Sequence, residues 1–359
     1  MAFIHLPLTM NPRVSVSTLV RVLLLGVFVA AAPAHHQQCT EESMMVRKEW
    51  SNLSSQERVA YSDAVTCLQH LPSTLDNSLY PGAKNRYADF VAVHINYTFI
   101  IHSNAIFLPW HRGFVHLFET ALHEECDYNG SLPYWDWPAY AGPDGTLEKS
   151  KIFDGTYDSL GSNGQGNDSC VYQGPFSQNY TATFPSFPHS LIADNIANNG
   201  SGTLPTGSFN YEPSCFQRVL NDEALRLNNN YSCIDTLLAQ RTIGEFQNYL
   251  DTPEGDAHFG PHGGGHAAFG GQGSDLFASP TDPVFYLHHA QVDRMWTTWQ
   301  SYDPDNRTYA LNGTQTLQNV PPSPELTLDD QLTFGPLGAN RTTRELMDVT
   351  AGPLCYRYE

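Results

Sequence analysis

The run Asp282-Pro283-Val284-Phe285-Tyr286-Leu287-His288-His289 decides the fold class of this chain. An aspartate carboxylate can accept the free N–H groups of a first helical turn, and the proline after it has no N–H to leave unsatisfied. Apolar residues follow, so the run predicts a helix reaching about Tyr302. Such a helix buries its first turn and still presents paired histidines.

Upstream, His262 and His266 are four residues apart, so on a helix both project from one face. The intervening Gly263-Gly264-Gly265 is poor helix sequence, costing about 1 kcal/mol per glycine relative to alanine. Metal ligation would stabilise the turn; a glycine-rich loop with two exposed histidines is the other reading. A second cluster lies earlier, at His94, His102 and His111, with eight residues between the last two. The apolar stretch from Tyr87 to Ile101 reads as a buried helix carrying His94. Pro109 suits the first turn of the next helix, which carries His111 and continues its apolar face through Phe114, Val115, Phe118 and Leu122. The expected fold is therefore mainly α, a helical bundle with long irregular loops.

Two sets of neutral imidazoles suit a pair of copper ions, since three nitrogens per ion leave positions open for oxygen. A zinc hydrolase of the H-E-x-x-H type needs glutamate after its first histidine, and Gly263 stands there. A di-iron carboxylate bundle needs Glu-x-x-His pairs, which neither cluster shows. Copper remains.

Composition narrows the setting of this chemistry. In 359 residues, 41% are hydrophobic and 12% aromatic, enough to bury a large core. Residues 1–34 resemble a secretory signal, with Arg13 and Arg21 before the apolar run Val22 to Ala32 and a small-residue site at Ala32-Pro33-Ala34. Eleven apolar residues are short for a membrane span, so cleavage is expected over a retained signal anchor. Residues 35–359 are then one catalytic domain. The 18 basic residues less Arg13 and Arg21 leave 16 against 37 acidic ones, a net charge of −21. That balance argues against a nucleic-acid partner, and no stable membrane partner is expected. Ten Asn-x-Ser/Thr sequons, at Asn52, Asn96, Asn129, Asn167, Asn179, Asn199, Asn230, Asn306, Asn312 and Asn340, fit a secreted protein. Seven cysteines without a C-x-x-C pair predict disulfides with one thiol left over.

Elsewhere, Ser54-Ser55-Gln56-Glu57 has capping-box spacing and opens a helix to about Leu71. Helical character also appears around Asn221 to Leu227 and Ile234 to Leu250. Between Pro138 and Ser214 the chain is rich in Gly, Asn, Ser and Pro, which predicts a surface excursion tied by Cys170 and Cys215.

Several segments together resemble the tyrosinase family of type-3 dicopper proteins. They are Phe107-Leu108-Pro109-Trp110-His111-Arg112, Leu132-Pro133-Tyr134-Trp135-Asp136-Trp137, His262-x3-His266, and Asp282-Pro283-x-Phe285-x-x-His288-His289-x-x-x-Asp293-Arg294. Tyr356-Arg357-Tyr358 resembles the motif closing the family's catalytic core. The resemblance implies four core helices around two coppers, one held by His94, His102 and His111, the other by His262, His266 and His289. It makes His289 the ligand of its pair and leaves His288 to packing. No catalytic residue beyond these ligands is expected. Acceptors behind each imidazole should fix its tautomer, and Asp293 is a candidate, with an ion pair to Arg112 or Arg294 as the other reading. His70, His116, His123 and His189 match no ligand position; His258 is a candidate pocket residue, and His35 and His36 would begin the mature chain.

The chain departs from many relatives at Ile100, where a cysteine would otherwise form a thioether with His102. Gly263 stands where relatives that hydroxylate monophenols often have asparagine, and neither it nor Ala267, after His266, offers a side-chain base or acceptor. Glu254 is a possible partner for that chemistry. The chain stops one residue past Tyr358, so no C-terminal plug is expected, and access would be controlled near Leu276 and Phe277. The expected function is copper-dependent oxidation of small phenols by dioxygen, favouring ortho-diphenols or ortho-aminophenols over monophenols, with a tyrosine-derived group in a metabolite or peptide as one substrate class. A haemocyanin-like oxygen binder and a metal-free accessory protein are the alternatives.

Overall fold

The computed structural model describes residues 39–143, 146–177, 180–251 and 259–359. The signal segment, His35, His36, Asn179, Glu254 and His258 lie outside the described residues. The helices that matter here are α1 (Ser55–His70), α2 (Arg86–Ile101), α3 (Phe107–Cys126), α4 (Ser190–Ala197), α5 (Asp222–Asn228), α6 (Tyr231–Leu238), α7 (Ile243–Asp251), α8 (Pro261–Phe269) and α9 (Val284–Ser301). Only short two-stranded ribbons accompany them among the described residues. The protein is mainly helical, as its apolar periodicity predicts.

Local chemistry sets the helix ends. Ser54 and Glu57 form the reciprocal capping box expected for α1. The Asp282 carboxylate accepts from the Val284 N–H at 2.9 Å and so starts α9, while Arg218 clamps it from behind at 2.7 and 2.9 Å. Both side chains of that pair are fully buried, so each depends on the other to offset its desolvation. Two further hydroxyls, of Tyr87 and Tyr180, donate to the Pro280 and Thr281 carbonyls at 2.6 Å and hold the turn before α9.

α2, α3 and α9 pack through aromatic side chains. Tyr286 of α9 stacks on Phe118 of α3, and Trp110 stacks between Phe114 and Phe334. These rings are buried, which is where apolar area contributes most to stability. No helix among the described residues is long and apolar enough to cross a membrane.

The two ends of the fold are clasped together. Strand β1 (Met45–Arg47) pairs in parallel with β2 (Tyr356–Tyr358), with Arg47 opposite Tyr358. Arg47 is fully buried, bonded to Glu119 at 2.5 Å and lying 3.5 Å over the Tyr356 ring. A disulfide between Cys39 and Cys355 secures the same ends, and another joins Cys67 to Cys126. The third, Cys170 to Cys215, ties the long excursion as its composition predicts. That excursion also contains α4, which its glycine and asparagine content obscured. Cys233 is the thiol left over.

Candidate metal centre

Two helices carry the first cluster. His94 lies inside α2, His102 is the residue after its last turn, and His111 sits in the second turn of α3. The His102 Nδ1 donates to the Thr98 carbonyl at 2.9 Å, using an acceptor that the end of α2 leaves free. In the same i to i−4 relation the His111 Nδ1 donates to Phe107 at 2.9 Å. The His94 Nδ1 donates across the fold to Phe277 at 2.8 Å.

The second cluster repeats the device with different acceptors. The His262 Nδ1 donates to the Asp251 carboxylate at 2.6 Å, and the His266 Nδ1 to the Gly273 carbonyl at 2.8 Å. A carbonyl or carboxylate can only accept, so all five rings carry their proton on Nδ1. Their Nε2 lone pairs are left pointing elsewhere. Those of His94, His111 and His262 are buried with no partner, a cost of about 1–3 kcal/mol each unless something fills the role. His289 completes the set, its Nε2 lying 3.3 Å from that of His266.

Within each cluster the ligand atoms lie within 4.8 Å of one another: His94, His102 and His111 in one, and His262, His266, His288 and His289 in the other. The clusters themselves meet, for the rings of His111 and His289 stack at 4.5 Å with their planes 14° apart. Burial holds His94, His111, His266 and His289 well below the ordinary imidazole pKa and brings His102 to about 4. These last five rings are thus neutral near pH 7, the form that ligates a metal. Directed lone pairs and a donor set of imidazole alone fit a pair of copper ions.

Other predicted positions turn out differently. Asp293 fixes no imidazole tautomer: its carboxylate bonds Arg112 at 2.5 Å and accepts from the hydroxyls of Tyr356 and Tyr358 at 2.7 and 2.6 Å. The ion-pair reading is therefore correct, and Arg294 pairs with Asp136 instead. Phe277 is fully buried, stacks on Phe187 and supplies the carbonyl for His94. Asp251, at the end of α7, carries no local signal in the sequence because it stands eleven positions before His262. Its carboxyl, which burial alone would push up, is held below the usual range by His262 and His102.

The glycines of α8 are not equivalent. A Cβ on Gly264 would lie 2.3 Å from the Asn228 side chain, and one on Gly265 would lie 2.3 Å from the His288 ring. Gly263 faces Phe259, whose Cβ a new side chain would meet at 3.3 Å. Only close packing, then, demands glycine at the latter two positions of the run.

Comparison with known proteins agrees with this geometry. Residues 84–302 match the common central domain of tyrosinase. The chain is 40% identical to the N-acetyl-6-hydroxytryptophan oxidase of Emericella nidulans, over 93% of this chain and 98% of that one. It is also 40% identical to tyrosinase P of Aspergillus terreus, over 88% and 92% of the two chains. Among solved structures, a mutant of the polyphenol oxidase from Thermothelomyces thermophila superposes with a TM-score of 0.80 at 36% identity, covering 90% of each chain. The chain belongs to the tyrosinase family.

Proposed function

We propose that this protein is a secreted dicopper oxidase that converts ortho-diphenols or ortho-aminophenols to ortho-quinones or quinone imines with dioxygen. The observation that carries the reading is the set of five imidazoles locked through Nδ1, with a sixth facing them, on two clusters that meet. His94, His102 and His111 would hold one copper, and His262, His266 and His289 the other. Bound there, the pair would accept two electrons from each phenol and return them to dioxygen, two turnovers reducing one dioxygen to two waters.

The chain's own groups do the positioning. Fixed acceptors keep the rings from turning, so little reorganisation is needed when metal charge changes. Phe107 packs 4.7 Å from both the His111 and His262 rings and Phe285 lies 4.2 Å from His289, which keeps water from these faces. Gly263 and Ala267 present no side-chain acceptor, which supports oxidation of substrates that already carry two ionisable groups over hydroxylation of a monophenol. Beside the site is a cavity of about 650 Å³, lined by Ser103, Phe107, Gln247, Asp251 and Asn312 among others. Its carboxamides and hydroxyl suit a polar, uncharged substituent. The substrate named for the Emericella relative carries such a group in its N-acetyl function.

Residues 1–34 would be removed as a signal, leaving 35–359 as the catalytic domain; the three disulfides support passage through an oxidising compartment. Oxygen uptake by copper-loaded protein with catechol and 2-aminophenol is the direct test. No uptake across a panel of diphenols and aminophenols would refute the assignment.

A further inference from the structure

The second cluster holds one histidine more than the first. His288 is fully buried, and neither ring nitrogen makes a hydrogen bond of normal geometry. Its ring has one polar contact, with the backbone of His262. The indoles of Trp135 and Trp137 approach the ring, yet their own N–H groups are also without partners. A phenyl ring would fill the same space and leave no unsatisfied nitrogen, so packing alone does not account for an imidazole here.

What surrounds His288 is the metal position. Its ring lies parallel to that of His262 at 5.5 Å and approaches that of His266 at 4.4 Å. One ligand atom from each of His262, His266, His288 and His289 falls within 4.8 Å of the other three. Four nitrogens held at about 2.0–2.1 Å in a tetrahedron, as around zinc, lie roughly 3.3 Å apart, so the four would draw together by up to about 1.5 Å on a shared ion. Gly265 permits the approach, since a Cβ there would lie 2.5 Å from the His288 Nδ1.

We infer that His288 is a reserve ligand of the second copper position, able to hold the ion when His266 lets go. His266 is the member of the four with some exposure, and it stands with His262 on the glycine-rich α8. The inference rests on copper being the metal, as proposed above, but not on which phenol is oxidised or whether any is.

The test is a copper count on loaded, gel-filtered protein, with circular dichroism to confirm folding, for wild type, His266→Ala, His288→Phe and the double variant. Wild type and His266→Ala should each retain two coppers per chain, whereas the double variant retains one. Loss of a copper from His266→Ala alone, or two coppers in the double variant, overturns the inference. Should His288→Phe fail to fold, His288→Gln keeps a polar group of similar reach and replaces it in the double variant, with the same expected counts. A wild type that binds no copper removes the proposed function itself, which separates the two failures.

Discussion

The ring of His111, in α3, lies stacked against that of His289, in α9, at 4.5 Å. These residues are far apart in the chain and belong to different clusters, so one contact joins the two halves of the site. Replacing either with alanine removes a ligand and the partner's ring support together. His111→Ala should hold one copper fewer per chain and lose phenol oxidation by at least about a hundredfold, the scale on which even outer partners of a metal ligand act. A variant with full copper content and near-normal oxygen uptake would show the ligand set to be wrong.

Asp251 offers a subtler perturbation, because it touches His262 and not the metal. Asp251→Ala should weaken the second copper roughly 10–100-fold in chelator competition while leaving the first unchanged. Asp251→Asn keeps an acceptor for the His262 Nδ1–H and should fall between the two. Equal losses at both coppers would mean that Asp251 supports the whole domain and not this ring.

The three glycines of α8 give an internally controlled series. Gly264→Ala and Gly265→Ala insert a Cβ where Asn228 and His288 already stand, and each should cost about 1–3 kcal/mol by overpacking. Gly263→Asn needs only a small shift of the exposed Phe259, so it should fold nearly as well as wild type and gain hydroxylation of tyrosine or tyramine. Thermal unfolding and a monophenol assay read both. Rapid tyrosine hydroxylation by the wild type would defeat the argument from Gly263.

The buried clasp predicts how the fold responds to acid. Burial alone would raise the carboxyl of Asp293, but Arg112 and Arg47 with two tyrosine hydroxyls hold it below the ordinary range. For Glu119, likewise, burial opposes and Arg47 prevails. Folded-state values below the unfolded ones mean that both groups contribute stability above about pH 4, lost as pH falls through the folded values. Urea unfolding midpoints should therefore decline from about pH 6.5 downward, as the buried neutral histidines favour protonation in the unfolded chain, and drop further below about pH 4 as the clasp carboxylates are lost. Asp293→Ala should cost about 3–5 kcal/mol near pH 7 by stranding two buried guanidinium groups. The acid slope should flatten in that variant; an unchanged slope would place the acid-sensitive groups elsewhere.

Periodicity and capping residues placed α1, α2, α3 and α9 close to where they stand, because those signals act over a few residues of contiguous chain. The spacing of His262 and His266 likewise predicted that both project from one helix face, since i and i+4 positions do so whatever the remainder of the fold does, and α8 carries both. Asp251, the Phe277 carbonyl and the Gly273 carbonyl stayed hidden. Two of those three acceptors are backbone atoms, present at every residue and so without any signature of their own.

By itself, then, the sequence determined that a mainly helical core brings imidazoles together in two groups and that Gly263 and Ala267 withhold a side-chain acceptor. Tertiary structure alone decided that the groups meet at His111 and His289, that Asp293 serves the clasp, and that the His288 ring packs among those of His262, His266 and His289. The physical reason is range: helix propensity and face periodicity are written locally, whereas a hydrogen bond between residues 183 positions apart, such as His94 to Phe277, exists only once packing has brought them within 2.8 Å.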